Sequence, residues 1–185
     1  MDTVRDIERL YAVAEKALTT LGVRPGERCL DFGCGHGNYT IPLARLVGPE
    51  GEVLALDQDT EALQRLGERV RRAGIENVRV LSPLAKTTLP IEDESIHKVL
   101  LYDVLHDHYF SAKQRAALME EAARVTRPGG RLSVFPNHMT GRQIKRDVVA
   151  PAGRLGFAAM EAYVGPLVHD DGIMDGRVLI FEKAG

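Results

Sequence analysis

The chain has 185 residues, of which 44% are hydrophobic and 27% are charged. This balance is typical of a soluble globular protein with a packed core, and it excludes a disordered chain. The formal net charge is −2, so no strong field attracts the protein to nucleic acid or to a membrane surface. The length suits one domain, which we expect to span residues 1–185, with residues 1–21 forming a helix that flanks its core.

The start of the chain and the two cysteines give information about the cellular compartment of the protein. The opening residues alternate charged and apolar side chains and contain no apolar segment of signal-peptide length. No apolar run approaches the roughly 18 residues that a membrane span requires. The two cysteines, Cys29 and Cys34, are five positions apart, which favours a reducing compartment over a disulfide scaffold. We therefore expect a cytoplasmic protein.

Strand-like and helix-like segments alternate along most of the chain. The sequence predicts, in order, a helix over 4–21, a strand over 28–32, a helix over 39–47, a strand over 52–56, a helix over 60–73, strands over 78–81 and 96–102, a helix over 113–125 and a strand over 131–135. It then predicts a helix over 143–155 and two strand-like runs over 158–164 and 177–182, which are joined by a loop over 165–176.

This alternation predicts an α/β fold. Strands that alternate with helices form a parallel sheet with helices on both faces. The unbroken apolar run Val99-Leu100-Leu101 indicates a strand that is covered on both faces. We therefore predict a doubly wound, mostly parallel seven-stranded sheet that ends in a C-terminal antiparallel hairpin.

A glycine-rich loop follows the first predicted strand. Gly33, Gly35 and Gly37 have G-x-G-x-G spacing, and the missing Cβ atoms let the backbone turn sharply and approach a ligand. Such a loop lies at the carboxyl ends of parallel strands, where ligands bind. Asp57 ends the second predicted strand, where a carboxylate can accept both hydroxyls of a ribose; the alternative role, capping the next helix, suits Asp59. The glycines and the acid together favour a ligand with a ribose.

Four short segments, taken in their order along the chain, indicate a protein family. They are residues 30–37 (LDFGCGHG), residues 53–57 (VLALD), residues 89–99 (LPIEDESIHKV) and residues 127–130 (RPGG). Together they resemble the motifs of the class I S-adenosylmethionine-dependent methyltransferases, in particular the small UbiE-like, methyltransferase type 11-like core. The resemblance implies a Rossmann-like methyltransferase fold and S-adenosyl-L-methionine as the co-substrate.

The resemblance also implies roles for single residues at the donor end. The implied donor-binding residues are Asp31 near the amino group, Gly33, Cys34, Gly35 and Gly37 around the methionine moiety, Asp57 on the ribose, Gln58 beside the adenine, and Tyr102 at the end of the fourth strand. Many relatives also carry an acid after the third strand that contacts the adenine, but residues 81–86 (LSPLAK) contain none. His97 stands where the family usually has Asp, away from the ligand edge, and we expect it to be a surface feature.

The methyl acceptor is expected to be a small molecule. Methyl transfer from a sulfonium is an in-line displacement, so a base is needed only if the acceptor loses a proton. Residues 102–109 (YDVLHDHY) lack the Asp/Asn-Pro-Pro-aromatic signature of enzymes that methylate nucleic-acid amino groups. Little of the chain lies outside the predicted core to recognise a large acceptor. We therefore expect no nucleic-acid partner.

Histidines are concentrated in the loops at the predicted ligand edge. Five of the six histidines fall there, together with several acids: His36, His106, His108, His138 and His169, with Asp103, Asp107, Asp170 and Asp171. For the set, the alternatives are a histidine base, a bound metal or simple loop polarity. We favour a base, with His106, His138 and Asp103 as catalytic candidates. We predict no metal, because no ligand spacing such as H-E-x-x-H appears.

Two other functions are compatible with the same fold. An NAD(P)-dependent Rossmann oxidoreductase would share the sheet and the ribose acid, but the loop spacing, the Leu89-Pro90 segment and the terminal hairpin disfavour it. A non-catalytic domain that binds S-adenosylmethionine also stays open, because the adenine acid is missing.

Overall fold

The computed structural model describes residues 4–81 and 87–185. Its elements, in chain order, are α1 Val4–Leu21, β1 Arg28–Phe32, α2 Thr40–Val47, β2 Glu52–Leu56, α3 Thr60–Arg72, β3 Val78–Leu81, β4 Ile96–Tyr102, α4 Ala112–Val125, β5 Thr126–Phe135, α5 Gly141–Ile144, α6 Ala150–Arg154, β6 Phe157–Ala159, β7 Tyr163–His169 and β8 Gly172–Lys183. A π-helical turn over Lys145–Val149 joins α5 to α6, within the segment that the sequence predicts as one helix.

The strands form one sheet with the order β3-β2-β1-β4-β5-β8-β6, and β7 pairs with β8 beside this path. β1 to β5 pair in parallel, whereas β8 is antiparallel to β5, β6 and β7. The predicted α/β fold with a mostly parallel sheet and an antiparallel C-terminal part is confirmed. The described residues form eight strands rather than the predicted seven, because the run predicted over 158–164 is divided between β6 and β7. The strand order reverses at β1, which has β2 on one side and β4 on the other.

The predicted loop over 165–176 is wrong. β7 and β8 pair along this stretch, and only Asp170 and Asp171 form the turn between them. The glycines and the proline of the segment have the composition of a loop, but Gly176 has a packing role. A Cβ at Gly176 would lie 2.7 Å from a methyl group of Leu167, so glycine allows the hairpin to pass closely over the sheet.

Both faces of the central strands are buried. Along β4, Val99 and Leu101 belong to the cluster under α4, whereas Leu100 packs into the cluster under α1 and α2. This explains the unbroken apolar run in β4, because side chains of successive residues in a strand point to opposite faces. On α1, Leu18 and Leu21 are buried at the spacing that one helix face requires.

A buried arginine fixes the loop that follows β4. The Arg115 side chain on α4 is 1% exposed, and its guanidinium lies 2.9 Å from the Asp147 carboxylate. The same guanidinium donates to the carbonyl of Phe110 and to the carboxylate of Asp107. Arg115 thereby ties the loop after β4 to the π-helical turn.

We expect Arg115→Met to lower the free energy of unfolding by about 3 kcal/mol or more, because the buried Asp147 carboxylate keeps only the more exposed Arg146 as its partner. The control Arg65→Met removes an exposed ion pair with Glu61 and is expected to leave stability nearly unchanged. Urea unfolding of both variants measures the difference. Equal losses of stability would contradict the anchoring role of Arg115.

Candidate functional site

A cleft of about 530 Å³ opens at the carboxyl ends of β1, β2 and β4. Most residues that the sequence places at the site line it: Asp31, Gly33, Cys34, Gly35, Asp57, Gln58, Tyr102 and Asp103. The predicted residues Gly37, His106 and His138 are not among the lining residues. His97 lies at the far end of β4, where its Nδ1 accepts the backbone N–H of Arg28.

The three glycines of the loop after β1 are required for different structural reasons. A Cβ at Gly33 would clash with Val104, and a Cβ at Gly37 would lie 2.5 Å from a methyl group of Leu66 on α3. Gly37 is buried and therefore serves packing rather than the cleft. Gly35 has a φ of +51°, and among the described residues other than its chain neighbours no atom lies within 4 Å of the position of a Cβ. Gly35 alone leaves open space on the cleft.

The loop is bonded to the end of β2. The N–H groups of Gly33 and Cys34 both donate to the carbonyl of Leu56, at 2.7 and 3.0 Å. The N–H of Gly35 donates to the Asp57 carboxylate at 2.7 Å. These three N–H groups already have acceptors within the protein. The loop therefore offers a ligand mainly its shape and the acid that it orients.

Asp57 is free of a helix-capping role. Asp59 caps α3, since its carboxylate accepts the N–H groups of Glu61 and Ala62. The second Asp57 oxygen accepts the N–H of Asp59 at 2.9 Å. Each carboxylate oxygen has more than one acceptor site, so Asp57 can still bind hydroxyl groups of a ligand. Residues 82–86, where the sequence lacks the adenine-binding acid, lie outside the described residues.

Asp31 is a buried carboxyl group in the wall of the cleft. Its Oδ2 accepts a hydrogen bond of 2.6 Å from the Thr40 hydroxyl. Burial raises the pKa of Asp31 from 3.8 to about 6, the Thr40 hydrogen bond opposes this change, and the charge of Asp57 adds to it. A carboxylate in such a position is stabilised by a cation. Burial also raises the pKa of the Cys34 thiol, which is therefore protonated and unreactive.

Four of the five histidines come together beside the loop after β4, and two of them, His108 and His169, line the cleft. The rings of His106 and His108 are 6.0 Å apart, those of His106 and His138 are 5.5 Å apart, and those of His138 and His169 are 5.3 Å apart. His36 lies apart from this cluster. Its Nε2 is 2.9 Å from an Asp171 oxygen, which fastens the glycine loop to the β7–β8 turn.

Asp103 lies at the centre of this histidine cluster. Its Oδ2 is 2.8 Å from Nε2 of His169 and 3.8 Å from Nε2 of His138, and its Oδ1 is 3.9 Å from Nε2 of His106. Asp103 and His138 have φ values of +54° and +58°, which non-glycine residues rarely adopt. His106 is buried, and burial lowers its pKa, so the imidazole is neutral near pH 7.

Sequence reasoning grouped His169 with the loop histidines but gave it no role of its own. The residue ends β7, and the pairing of β7 with β8 brings it to Asp103 across 66 positions of sequence. Neither hydrophobic periodicity nor residue spacing reports such a contact. Because the hairpin is rich in glycine and polar residues, its sequence predicted a loop rather than the strand that carries His169.

The comparisons with known proteins agree with this geometry. Residues 29–130 match the family model of a methyltransferase domain. The demethylmenaquinone methyltransferase of Bacillus cytotoxicus is 32% identical over 132 residues, which cover 71% of this chain and 54% of that protein. The arsenite methyltransferase of Halobacterium salinarum is 33% identical over 139 residues, covering 70% of this chain and 34% of the relative. This chain thus spans about half the length of the former and a third of the latter.

A solved structure shares the fold. The crystal structure of a SAM-dependent methyltransferase from Aquifex aeolicus superposes with a TM-score of 0.71 at 21% identity, covering 91% of this chain and 88% of that one. The family match covers more than half of the chain. The chain belongs to the methyltransferase domain family, with the class I fold whose members use S-adenosyl-L-methionine.

Gly35→Val is expected to lower the affinity for S-adenosylhomocysteine about tenfold or more, because the added methyl groups enter space on the cleft. Gly26→Val is the matched control, since Gly26 also has a positive φ, +80°, and open space around it but lies in the turn before β1. Both variants carry similar backbone strain, so thermal melts should show similar losses. Calorimetry that finds equal affinities would mean that the loop at Gly35 is a plain turn.

Donor binding should depend on the ionisation of Asp31. Since the pKa of Asp31 in the free protein is about 6, its carboxyl becomes protonated below that pH, and the affinity for the ammonium-bearing S-adenosylhomocysteine should fall. Asp31→Asn should flatten this pH dependence between about pH 5 and 7, whereas Asp59→Asn, at an exposed carboxylate of the cleft, should retain it. Calorimetry across this range tests the assignment, which an unchanged slope in Asp31→Asn would contradict.

The same substitution has an expected effect on stability. The folded-state pKa of Asp31 lies above its ordinary value, so stability falls as the pH rises from about 4 to about 6. Above that range Asp31→Asn, without ligand, should therefore melt at a higher temperature than the wild type. A lower melting temperature at pH 8 would show that the carboxylate has a stabilising partner.

Proposed function

We propose that the protein transfers the methyl group of S-adenosyl-L-methionine to a small-molecule acceptor. The observation that carries this proposal is the arrangement of the cleft. Asp31, Gly35 and Asp57 lie at one end of it, and the histidine cluster around Asp103 lies at the other. In an open α/β sheet, ligands bind where the strand order reverses, and the cleft lies there.

The charge of the cleft favours a cationic donor over a dinucleotide. Five acids line it, namely Asp31, Asp57, Asp59, Asp103 and Asp170. Within the described part of the chain, no Lys or Arg lines it. S-adenosylmethionine carries a sulfonium and an ammonium group, which these carboxylates attract, whereas the pyrophosphate of a nicotinamide dinucleotide would be repelled. This electrostatic argument, with the family match, removes the oxidoreductase alternative.

The donor end provides groups that match the parts of S-adenosylmethionine. Asp57 would accept the ribose hydroxyls, and Asp31 would attract the ammonium group. Gln58 lies on the same wall beside Asp57, where the adenine is expected. The Tyr102 ring packs edge-on against the Tyr39 ring at 4.7 Å and forms part of the floor.

The size of the cleft and the relatives support a small acceptor. A volume of about 530 Å³ is within the range of sites for small ligands. The acceptors that the relatives are named for, demethylmenaquinone and arsenite, are both small molecules. His108 and Tyr109, whose rings are 5.1 Å apart, line the acceptor end and offer it aromatic surface. The net charge is close to zero, whereas proteins that bind nucleic acids usually carry a basic patch, so we propose no nucleic-acid partner.

His106 serves as the general base when the acceptor must lose a proton. Its Nε2 faces the Asp103 carboxylate, which stabilises the imidazolium that forms. Its Nδ1 accepts a hydrogen bond of 3.3 Å from the His108 N–H, and His106 does not itself line the cleft. To act as the base, Nδ1 must release this bond and take the proton through a bridging water molecule or after a small movement of the loop. As the acceptor bonds to the methyl carbon, the carbon–sulfur bond breaks and sulfur keeps the electron pair. His138 lies beside this pair.

We also propose a cytoplasmic location. Cys29 and Cys34 are both free thiols and both buried, as a reducing compartment allows. Among the described residues, no helix combines the length and the apolar character that crossing a bilayer requires.

Binding and turnover together test the proposed function. Calorimetry should show saturable binding of S-adenosylhomocysteine and none of NADH. A screen of small molecules with methyl-labelled donor, covering quinols, phenols, thiols and amines, should then find an acceptor. Donor binding with no labelled product from any class would favour the non-catalytic alternative, and a failure to bind the donor would overturn the proposal.

With an acceptor found, His106→Asn should lower kcat by about 10²–10⁴-fold and leave the affinity for S-adenosylhomocysteine unchanged. Added imidazole should restore part of the activity of His106→Ala, because a free base then fills the vacated position. His97→Asn is the control, since His97 lies at the opposite end of β4. Wild-type turnover by His106→Asn would exclude the base and leave alignment of the reactants as the source of catalysis.

A further inference from the structure

Asp103, His138 and His169 each place one possible ligand atom beside the others, all within 4.8 Å of one another, and Asp103 and His169 line the cleft. We propose that the three residues bind a divalent transition-metal ion, best matched by Zn²⁺. Asp103 follows β4, His138 lies in the loop after β5, and His169 ends β7 in the β7–β8 hairpin. The spacing of these three residues along the sequence does not predict that they come together.

The distances between the three atoms fit a metal ion. Asp103 Oδ2 and His169 Nε2 are 2.8 Å apart, the two histidine Nε2 atoms are 3.3 Å apart, and His138 Nε2 is 3.8 Å from Asp103 Oδ2. Three points with these separations lie on a circle with a radius of about 2.0 Å. An ion at its centre, or slightly out of its plane, is about 2.0–2.1 Å from all three atoms, which is the usual length of zinc–nitrogen and zinc–oxygen bonds.

Hydrogen bonds account for this convergence only if one proton on His169 Nε2 is shared between two acceptors. A neutral imidazole nitrogen carries either a proton or a lone pair, so His169 Nε2 cannot donate to Asp103 and accept from His138 at the same time. A metal ion would accept the lone pairs of both nitrogens and of the carboxylate oxygen. With an ion on Nε2, the proton of His169 would lie on Nδ1, where the Asp170 carboxylate, at 3.4 Å, can accept it.

Two further observations support a built site. Asp103 and His138 both have left-handed backbone conformations, and such conformations cluster where a structure must aim a functional side chain. Asp103 Oδ1 is buried and has no hydrogen-bond partner among the described residues. A buried carboxylate oxygen without a partner is costly unless a bound group compensates its charge.

The site would act in the proposed methyl transfer, so its catalytic role rests on that function. Three protein ligands leave a coordination position open, as in catalytic rather than structural zinc sites. Because Asp103 and His169 line the cleft, this position faces the space that the donor and acceptor share. The matching acceptor class is a molecule with an oxygen, sulfur or nitrogen atom that coordinates the ion and gives up its proton. A bound ion would make this proton easier to lose, to His106 or to water. As the acceptor atom bonds to the methyl carbon, the carbon–sulfur bond of the donor would break and sulfur would keep the electron pair.

Metal binding can be measured without turnover. Tag-free protein, treated with chelator and dialysed, is titrated with Co²⁺ while the visible absorption of the bound ion is followed, and Zn²⁺ is then used to displace it. We expect one ion per chain. His138→Gln and His169→Gln should each weaken Co²⁺ binding by about 10–100-fold or more. His97→Gln, the histidine at the other end of β4, should bind like the wild type.

The outcomes separate this inference from the proposed function. His138 is exposed, so His138→Gln is expected to fold even if Asp103→Asn does not. No saturable Co²⁺ binding by the wild type, or equal binding by both histidine variants and the wild type, would overturn the metal site. S-adenosylhomocysteine binding is measured on the same samples. Metal binding without donor binding would contradict the proposed function alone, and the reverse result would contradict the metal site alone.

Discussion

The reversal of strand order at β1 is the constraint on which the rest of the structure depends. β1 pairs in parallel with β2 on one side and with β4 on the other. Parallel connections are right-handed, so the segments that leave β1 and β4 pass to opposite faces of the sheet and open a crevice at the strand ends. The loop after β1 then forms one wall, with Asp57 bound to it, and the loop after β4 forms the other, with Asp103 at its start. The donor and acceptor ends follow from this division.

The β7–β8 hairpin completes the acceptor end from a distant part of the chain. The Tyr39 hydroxyl holds it, accepting the N–H of Val168 and donating to the carbonyl of the same residue. The Asn38 side chain donates to the carbonyl of Asp170 at 2.6 Å, so the glycine loop and the hairpin turn are joined over the cleft. These contacts, together with the pairing of β7 and β8, hold His169 beside Asp103. The same elements that close the donor loop therefore position the proposed metal ligand.

Charge links the two ends of the cleft to the proposed chemistry. The donor carries a sulfonium charge that disappears when the methyl group leaves, while the carboxylates around it keep theirs. In the proposed reaction, a cleft lined by acids would therefore attract the donor more strongly than the product at the sulfonium position. Asp31 adds a second effect, because its buried carboxyl, with a pKa raised to about 6, ionises fully only near neutral pH or beside a cation. A metal at Asp103 would neutralise the acid closest to the acceptor.

The sequence by itself determined the α/β alternation, the strand that is buried on both faces, the glycine loop and the acid at the end of β2. These features depend on local periodicity and on residues close together in the chain, which a sequence displays directly. Only the tertiary structure decided that Gly35 faces the cleft while Gly37 packs on α3, that residues 165–176 pair as strands, and that His169 meets Asp103. Each of these depends on which distant segments come into contact, and that is set by packing and strand pairing over the whole sheet rather than by local propensity.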